Sequence, residues 1–250
     1  MEDLSLLIDL HKRQQRQGPG SIETTARAFE LAGLRDAAPL RIADIGCGTG
    51  AASVQLAQML DAHVTAVDLL PEFIDVLKAT VSREGLSGRV ETLVASMDQL
   101  PFADGQFDVI WSEGAIYNMG FAEGVSQWRR LLRPGGVLVA SEITWLSAQR
   151  PEAVQSYWQS AYPGIATEEE KCKILEDHGY AMIGTFTLPE SCWMDHYYTP
   201  LQQSFDGFLA RHAGDPQAAL LVEGERAEID LYKQYRDFYS YVMYVARVKG

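Results

Sequence analysis

The sequence predicts an α/β fold in which a mostly parallel sheet carries helices on both of its faces. Between residues 40 and 143, apolar runs of strand length alternate with segments that have helical apolar spacing, the pattern of a parallel sheet. The first of these strands runs directly into three alternating glycines, Gly46, Gly48 and Gly50. A strand, a tight turn and a helix start in this order place backbone N–H groups and a positive helix end against a ligand.

Composition and charge exclude several classes of protein. The chain has 250 residues, of which 47% are hydrophobic and 22% charged, and a formal net charge of −13. These values are ordinary for a globular protein, and the acidic balance disfavours a nucleic-acid partner, which selects for a basic face. No apolar run approaches the roughly 20 residues of a membrane span. The three cysteines show neither paired nor metal-ligand spacing, so we expect a cytoplasmic protein with reduced thiols and no metal.

Two helices are expected before the first strand. Residues 4–16 have amphipathic spacing, and Gly18-Pro19-Gly20-Ser21 separates them from a second helix at 22–33. The Gly-Pro-Gly segment is either a turn between the helices or a hinge that lets the first helix close over a ligand.

The regular elements of the core follow in alternation. We expect strands at 40–45, 63–68, 89–95, 107–112 and 137–143, with helices at 50–60, 71–84 and 121–132. Right-handed crossovers between parallel strands fix most of their topology.

The pattern weakens after residue 143. Residues 145–167 and 190–199 are irregular and rich in aromatics, and between them we expect a helix at 168–178 and a strand at 180–188. Two helices at 200–212 and 216–238 and a last strand at 239–248 complete the chain. We interpret residues 1–250 as a single domain, composed of N-terminal helices (1–39), a ligand-binding core (40–143), cap insertions (144–167 and 190–238) and the final strand (239–249).

The residues around the glycine turn leave two cofactors open. Gly46-x-Gly48-x-x-Ala51 fits the loose dinucleotide fingerprint, and Asp68 ends the second strand, where an acidic side chain binds ribose hydroxyls. Asp44 lies just inside the first strand, where its carboxylate could hold an amine but would oppose a pyrophosphate. No basic residue stands beside the turn, so an amino-acid moiety carrying an ammonium suits it better than a diphosphate does.

Five segments in order resemble the class I S-adenosylmethionine-dependent methyltransferase family. They are Asp44-Ile45-Gly46-Cys47-Gly48-Thr49-Gly50, Val67-Asp68, Asp98-Gln99-Leu100-Pro101-Phe102, Phe107-Asp108-Val109-Ile110 and Leu132-Arg133-Pro134-Gly135-Gly136. The resemblance covers residues 40–143. It implies a Rossmann-like, seven-stranded sheet whose last strand is antiparallel, with S-adenosyl-L-methionine as cofactor and S-adenosyl-L-homocysteine as product.

The resemblance also implies where the cofactor binds. The turn would face its methionine moiety, Asp68 would bind its ribose and Leu69 would pack on its adenine. Ser96 and Met97 depart from the familiar Asp-Ala pair, so the adenine contacts would come from the Ser96 hydroxyl and the Met97 backbone, or shift to Asp98. The expected cofactor residues are Asp44, Gly46, Cys47, Gly48, Gly50, Asp68, Leu69, Ser96, Met97 and Glu113.

The methyl acceptor is expected to be a small molecule. A mostly apolar pocket with a few polar groups is typical of small-molecule sites, and the expected substrate residues are Tyr117, Trp145, Trp193, His196 and Tyr197. A general base is needed only if the acceptor loses a proton, for which Glu113, Tyr117, His196 and Glu142 are candidates. The acceptor atom stays open, as does the choice between a monomer and a homodimer. The alternatives are an NAD-dependent oxidoreductase and a cofactor-binding protein without catalysis.

Overall fold

The computed structural model describes residues 4–34 and 39–249 of the chain. The predicted N-terminal segment 1–39 therefore includes residues 1–3 and 35–38, which lie outside the described residues. Among the helices of the described part, none has the length and apolarity needed to cross a bilayer.

The sheet confirms the predicted fold class. Seven strands lie in the order β3-β2-β1-β4-β5-β8-β7, and a two-residue strand, β6, pairs with the end of β5. β1 to β5 are parallel along this path, and β8 runs antiparallel to both of its neighbours. The strands are β1 (Leu40–Ile45), β2 (Ala62–Asp68), β3 (Val90–Val94), β4 (Phe107–Glu113), β5 (Leu132–Trp145), β6 (Ala166–Thr167), β7 (Tyr180–Thr187) and β8 (Tyr239–Val248).

The helices connect these strands and extend one end of the sheet. Proline at the first turn is compatible with a helix start because its missing N–H has no intrahelical partner there, as Pro71 illustrates at the start of its helix. The helices are α1 (Ser5–His11), α2 (Ile22–Leu31), α3 (Ala51–Met59), α4 (Pro71–Arg83), α5 (Phe121–Trp128), α6 (Glu152–Ala161), α7 (Glu168–Asp177), α8 (Glu190–Trp193), α9 (Thr199–Arg211) and α10 (Pro216–Tyr235).

Apolar side chains form three packed clusters. One cluster joins α2, α3 and α4 to one face of the sheet, and a second joins α5 and α7 to the other face. A third cluster unites α1, α6, α9 and α10 with the ends of β5 and β8. This third cluster gives the segments that follow β5 and β7 an apolar core of their own, next to the carboxyl ends of the parallel strands.

Several segments differ from the sequence expectations. α5 ends at Trp128 rather than residue 132, and β5 begins at Leu132 rather than residue 137. α1 ends at His11 rather than residue 16, since residues 12–20 make tertiary contacts that a continued helix would forgo. Residues 152–161 form α6 inside a segment expected to be irregular, and residues 190–199 form α8 followed by a π-helical turn at Met194–Tyr198. The buried residues of this last segment, Cys192, Trp193, Tyr197 and Tyr198, recur at a spacing of five, which fits the π-helical turn and not the period of an α-helix.

Candidate active site

A cavity of about 930 Å³ opens at the carboxyl ends of β1, β2 and β4. Asp44, Asp68 and Glu113 lie at or next to the last residues of these three adjacent strands. Ligand sites of open α/β sheets lie at this edge. The lining residues include Leu4, Leu7, His11, Arg16, Gln17, Asp44, Gly46, Cys47, Gly48, Asp68, Leu69, Phe73, Ser96, Met97, Asp98, Glu113, Ala115, Tyr117, Met119, Tyr197 and Glu225.

The glycine turn needs glycine for both conformation and space. Gly46 and Gly48 have φ of +74° and +57°, a region that side chains rarely adopt. A Cβ on Gly46 would lie 2.3 Å from the Cβ of Ala115. The turn also fixes Asp68, whose Oδ2 accepts the N–H of Gly48 at 2.8 Å and whose Oδ1 accepts the N–H of Leu70 at 3.0 Å. Its carboxylate is thereby held in place at the cavity wall.

Asp44 is a buried carboxyl group with one hydrogen-bond donor. Its side chain is 1% exposed, and its Oδ2 accepts a bond of 2.5 Å from the Ser53 hydroxyl. Desolvation, with smaller contributions from Glu113 and Asp68, raises the pKa of Asp44 to about 7. Within residues 4–34 and 39–249, no basic side chain forms an ion pair with it. A cation entering the cavity would therefore stabilise its ionised form.

Cys47 lines the cavity as a thiol rather than a thiolate. Its Sγ faces the carbonyl oxygen of Gly48 at 3.6 Å. Burial, and then the charges of Asp44 and Asp68, raise the pKa of this thiol well above its usual range. Such a group packs against a ligand and does not attack it.

Glu113 is held by three donors. Its Oε1 accepts hydrogen bonds from the Thr25 hydroxyl at 2.6 Å and the Trp111 indole N–H at 2.9 Å. Its Oε2 forms an ion pair of 2.8 Å with Arg16. These three contacts occupy both oxygens of Glu113, so the residue anchors the loop that follows α1.

The loop at residues 12–20 lies against the glycine turn. Gln17 accepts hydrogen bonds through Oε1 from the Thr49 N–H at 2.8 Å and from the Thr49 hydroxyl at 3.1 Å. Its Nε2 donates to the carbonyl oxygens of His11 and Gln14. A Cβ on Gly48 would lie 2.3 Å from Gln17 Oε1. The segment that precedes β1 therefore forms one wall of the cavity.

The side of the cavity beyond β2 and β3 is more open. Leu69 is 59% exposed, and Ser96, Met97 and Asp98 follow β3. The backbone at Met97 is fixed because its carbonyl oxygen accepts the Trp128 indole N–H at 3.0 Å. The exposed Leu69 and the half-buried Met97 both line the cavity and provide apolar surfaces for a planar group.

The opposite end of the cavity combines tyrosines with a histidine and a glutamate. Tyr117 and Tyr197 both line it, and burial raises the pKa of each hydroxyl. His11 Nε2 lies 3.2 Å from Glu225 Oε1, and the His11 ring stacks on Tyr197 with centroids 6.4 Å apart. α1, α10 and the turn after α8 thus meet at this end.

Four of the expected site residues lie elsewhere. Gly50, with φ of +90°, packs on Leu77 beneath the turn. Trp145 and Trp193 are buried in the third cluster, where Trp193 stacks on Tyr232 at 4.4 Å. His196 is exposed on the turn that follows α8.

Glu142, a candidate base, is buried in an ion pair. Its Oε1 lies 2.8 Å from Lys171 Nζ, and both side chains are at most 1% exposed. Lys171 also donates to the carbonyl oxygen of Gly164 at 2.9 Å. Neither residue lines the cavity.

Sequence reasoning missed Arg16, Gln17, His11 and Glu225 as cavity residues. The basic cluster formed by His11-Lys12-Arg13 and Arg16 is visible in the sequence. Its basic character does not indicate that His11 and Arg16 line the cavity. Glu225 stands among other charged residues of α10. Only the packing of α10 against α1 brings it to the cavity, and no local pattern encodes that packing. No group of three or more metal-ligating side chains occurs among residues 4–34 and 39–249.

Comparison with known proteins adds independent findings. Residues 42–136 match a family model described as a methyltransferase domain. The O-methyltransferase rstn1 of Aspergillus nomiae is 32% identical over 147 residues, which are 57% of this chain and 65% of that protein. The chain thus spans less than two thirds of that relative's length.

Two solved structures share the fold over nearly the whole chain. One is a methyltransferase from Thiobacillus denitrificans, described as dependent on S-adenosylmethionine and in complex with S-adenosyl-L-homocysteine. It superposes with a TM-score of 0.85 at 18% identity and full coverage of both chains. The [4+2]-cyclase SpnF superposes with a TM-score of 0.74 at 19% identity, over 98% of this chain and 92% of the other. At such identities the likeness concerns the fold.

Proposed function

We propose that the protein is a class I S-adenosylmethionine-dependent methyltransferase that transfers a methyl group to a small-molecule acceptor, a proposal supported by the match of residues 42–136 to a methyltransferase-domain model and by the relative rstn1. One observation carries the proposal. Two fixed carboxyl groups, Asp44 and Asp68, flank a glycine turn at the carboxyl edge of the sheet. These hydrogen-bond acceptors suit an ammonium and ribose hydroxyls better than a pyrophosphate.

The residues at this end of the cavity fit the parts of that cofactor. The buried Asp44 carboxyl would pair with the ammonium of the methionine moiety, which supplies the cation that Asp44 lacks. Asp68, already oriented by two backbone N–H groups, would accept the ribose hydroxyls. Leu69 and Met97 would enclose the adenine, with Ser96 or Asp98 binding its polar edge. Gly46, Cys47 and Gly48 would let the backbone approach the methionine moiety.

The protein's main contribution would be to align the acceptor. When bound, the cofactor supplies a methyl group on a sulfonium, which is a good leaving group, so no covalent enzyme intermediate is required. Proximity and orientation lower such barriers by about 7–11 kcal/mol in favourable systems. Tyr117 and Tyr197 would hold the acceptor at the other end of the same cavity, while α1 and its loop exclude water.

The organisation of the protein follows from the same proposal. We propose a single domain over residues 1–250, with the second end of the cavity built by the cap and the N-terminal segment. We also propose a cytoplasmic monomer or homodimer, a location that the free thiols of Cys47, Cys172 and Cys192 suit.

Calorimetric titration tests the cofactor. We expect S-adenosylmethionine and S-adenosylhomocysteine to bind with 1:1 stoichiometry and NADH not to bind. Binding of NADH alone would support the oxidoreductase alternative.

Turnover is tested separately by mass spectrometry of a panel of amines, phenols, thiols and carboxylates. A mass gain of one methylene unit in one class identifies the acceptor. Cofactor binding without any turnover would favour a protein that has no catalytic activity, or an enzyme that binds the cofactor without transferring its methyl group. The fold permits that alternative, since the structural neighbour SpnF is described as a cyclase.

A further inference from the structure

We propose that the end of the cavity between α1 and α10 binds an organic ammonium group, so that the acceptor is an amine with an apolar body. This inference rests on the proposed function and assigns the substrate class of the same site. It depends on the charge and the rings at this end of the cavity.

The carboxylates at this end exceed the cations available to them. Glu225 lines the cavity and Glu228 follows it one turn later on α10. His11 is the only side chain in the described part of the chain within ion-pair distance of Glu225, and it is a cation only when its ring is protonated. Glu228 has a hydrogen bond of 2.9 Å from the Tyr198 hydroxyl and no ion pair within the same residues. Arg16, the arginine of the cavity wall, is already paired with Glu113.

The field of Glu228 reaches the cavity wall. Burial, and then the charge of Glu228, raise the pKa of the hydroxyls of Tyr117 and Tyr197, the two tyrosines that line this end. Glu228 itself has a raised pKa because it is desolvated and lies beside Glu225. A cation in the cavity beside Glu225 would relieve the cost of two neighbouring carboxylates.

The aromatic rings favour the same occupant. Tyr117 keeps 38% of its surface accessible, and that surface adjoins the cavity. Tyr197 lies beside it in the wall. A cation near the face of an aromatic ring is attracted by the ring's quadrupole, and more strongly when the cation is desolvated.

One nitrogen at this end has no partner. His11 is 7% exposed, and its Nδ1 makes no hydrogen bond within the described residues. His11 lines the cavity, and its Nε2 lies 3.2 Å from Glu225 Oε1. A neutral ring that donates from Nε2 leaves a lone pair on Nδ1. Because Nδ1 is enclosed by protein atoms, the imidazole contributes to this end by holding Glu225 in place rather than by contacting the ammonium group.

The remaining wall fits a carbon body rather than a second charge. Leu4, Leu7 and Met119 line the cavity near these groups, and the two leucines are 41% and 37% exposed. Exposed leucines beside a cavity gain free energy when an apolar group covers them.

A set of three probes of similar size tests the proposal. Phenethylamine, 2-phenylethanol and 3-phenylpropanoate are titrated by calorimetry at pH 7.5 into protein saturated with S-adenosylhomocysteine. We expect phenethylamine to bind at least tenfold more tightly than 2-phenylethanol, and 3-phenylpropanoate to bind most weakly. Equal affinities, a preference for the alcohol or the acid, or no binding of the amine would overturn the proposal.

Variants show whether the named groups are responsible. We expect Glu225→Gln, Glu228→Gln and His11→Phe each to weaken phenethylamine binding at least fivefold and to leave 2-phenylethanol binding unchanged. Glu223→Gln is the matched control, because it removes the same charge from an exposed position of α10. Parallel losses for amine and alcohol would indicate a merely structural role and contradict the assignment.

Two further measurements separate the possible failures. Circular dichroism melting identifies a variant that does not fold, and the three variants change different atoms of the site. S-adenosylhomocysteine binding to the wild type is measured first. If it binds but the amine is not preferred, only the inference fails. If it does not bind, the proposed function fails and the inference with it.

Discussion

Replacement of Asp44 by Asn should change how the stability of the ligand-free protein depends on pH. Asp44 is buried without a cationic partner in the described chain, and its pKa rises from 3.8 to about 7 on folding. The native state therefore keeps a proton that the unfolded chain releases. A carboxyl group of this kind contributes its full stability below the unfolded pKa, and that contribution is lost as the pH rises through the folded value.

The size of the effect follows from the shift. A difference of about three pKa units corresponds to about 4 kcal/mol in total, of which about 2.5 kcal/mol falls between pH 5 and pH 8. The asparagine side chain does not titrate, so the variant lacks this loss. Asp68, whose pKa is also raised by burial, contributes equally to both proteins and cancels in the comparison.

Urea unfolding of both proteins at half-unit pH steps gives the required curves. We expect the free energy of unfolding of the wild type to fall by about 2–3 kcal/mol relative to Asp44→Asn between pH 5 and pH 8. Asp75→Asn, at an exposed position, serves as the control, and its curve of unfolding free energy against pH should run parallel to that of the wild type. If the Asp44→Asn curve also ran parallel, the raised pKa and the interpretation of Asp44 as an uncompensated carboxyl would be refuted.

Three further predictions concern single residues. Asp68→Ala should weaken S-adenosylhomocysteine binding at least tenfold, about 1.4 kcal/mol, and unchanged calorimetric affinity in a folded variant would remove Asp68 from the cofactor site. Lys171→Met should lower the free energy of unfolding, measured with urea, by about 3–5 kcal/mol, because it leaves Glu142 buried and unpaired. The double variant with Glu142→Leu should regain most of that stability. Equal losses of stability in the single and the double variant would contradict this prediction. Gly46→Ala should destabilise the protein more than Gly85→Ala, since both glycines have positive φ, which costs an alanine about 1–2 kcal/mol, but only at Gly46 would the new Cβ meet another atom, at 2.3 Å. Equal decreases in melting temperature for the two variants would contradict this prediction, because they would show that the glycine turn moves to accommodate the new Cβ.

The fold, and the position of the glycine turn, Asp44 and Asp68 at the cavity, could be predicted from the sequence because local patterns encode them. β1 and β8 begin where the apolar runs begin, and Pro71 marks the start of α4. The glycine turn, Asp44 and Asp68 belong to short segments whose spacing alone brings them together at the ends of adjacent parallel strands.

The acceptor end could not be predicted in the same way. Tyr117 and Tyr197 do line the cavity, but Trp145 and Trp193 complete the apolar core of the cap. An aromatic residue in an insertion has the same sequence signature whether it lines a cavity or packs in the apolar core.

The helical period of residues 4–16 predicts a helix longer than α1, but tertiary hydrogen bonds of the residues after His11 end the helix there. The contacts of Arg16 with Glu113 and of Gln17 with Thr49 exceed the few tenths of a kcal/mol per residue that helix propensity contributes.

The two ends of the cavity therefore have different origins in the chain. The glycine turn, Asp44 and Asp68 of the cofactor end lie within residues 42–136, the part that the family model matches, and Gln17 of the preceding loop packs against them. The acceptor end takes His11, Tyr197 and Glu225 from segments outside that range, and these segments meet only through the packing of α1, α10 and the turn after α8. A chain that keeps the core and changes these three segments would keep its cofactor and change its acceptor. For this reason the resemblance of the core predicts the reaction, while the acceptor must be inferred from His11, Glu225 and Glu228 and from the tyrosines beside them.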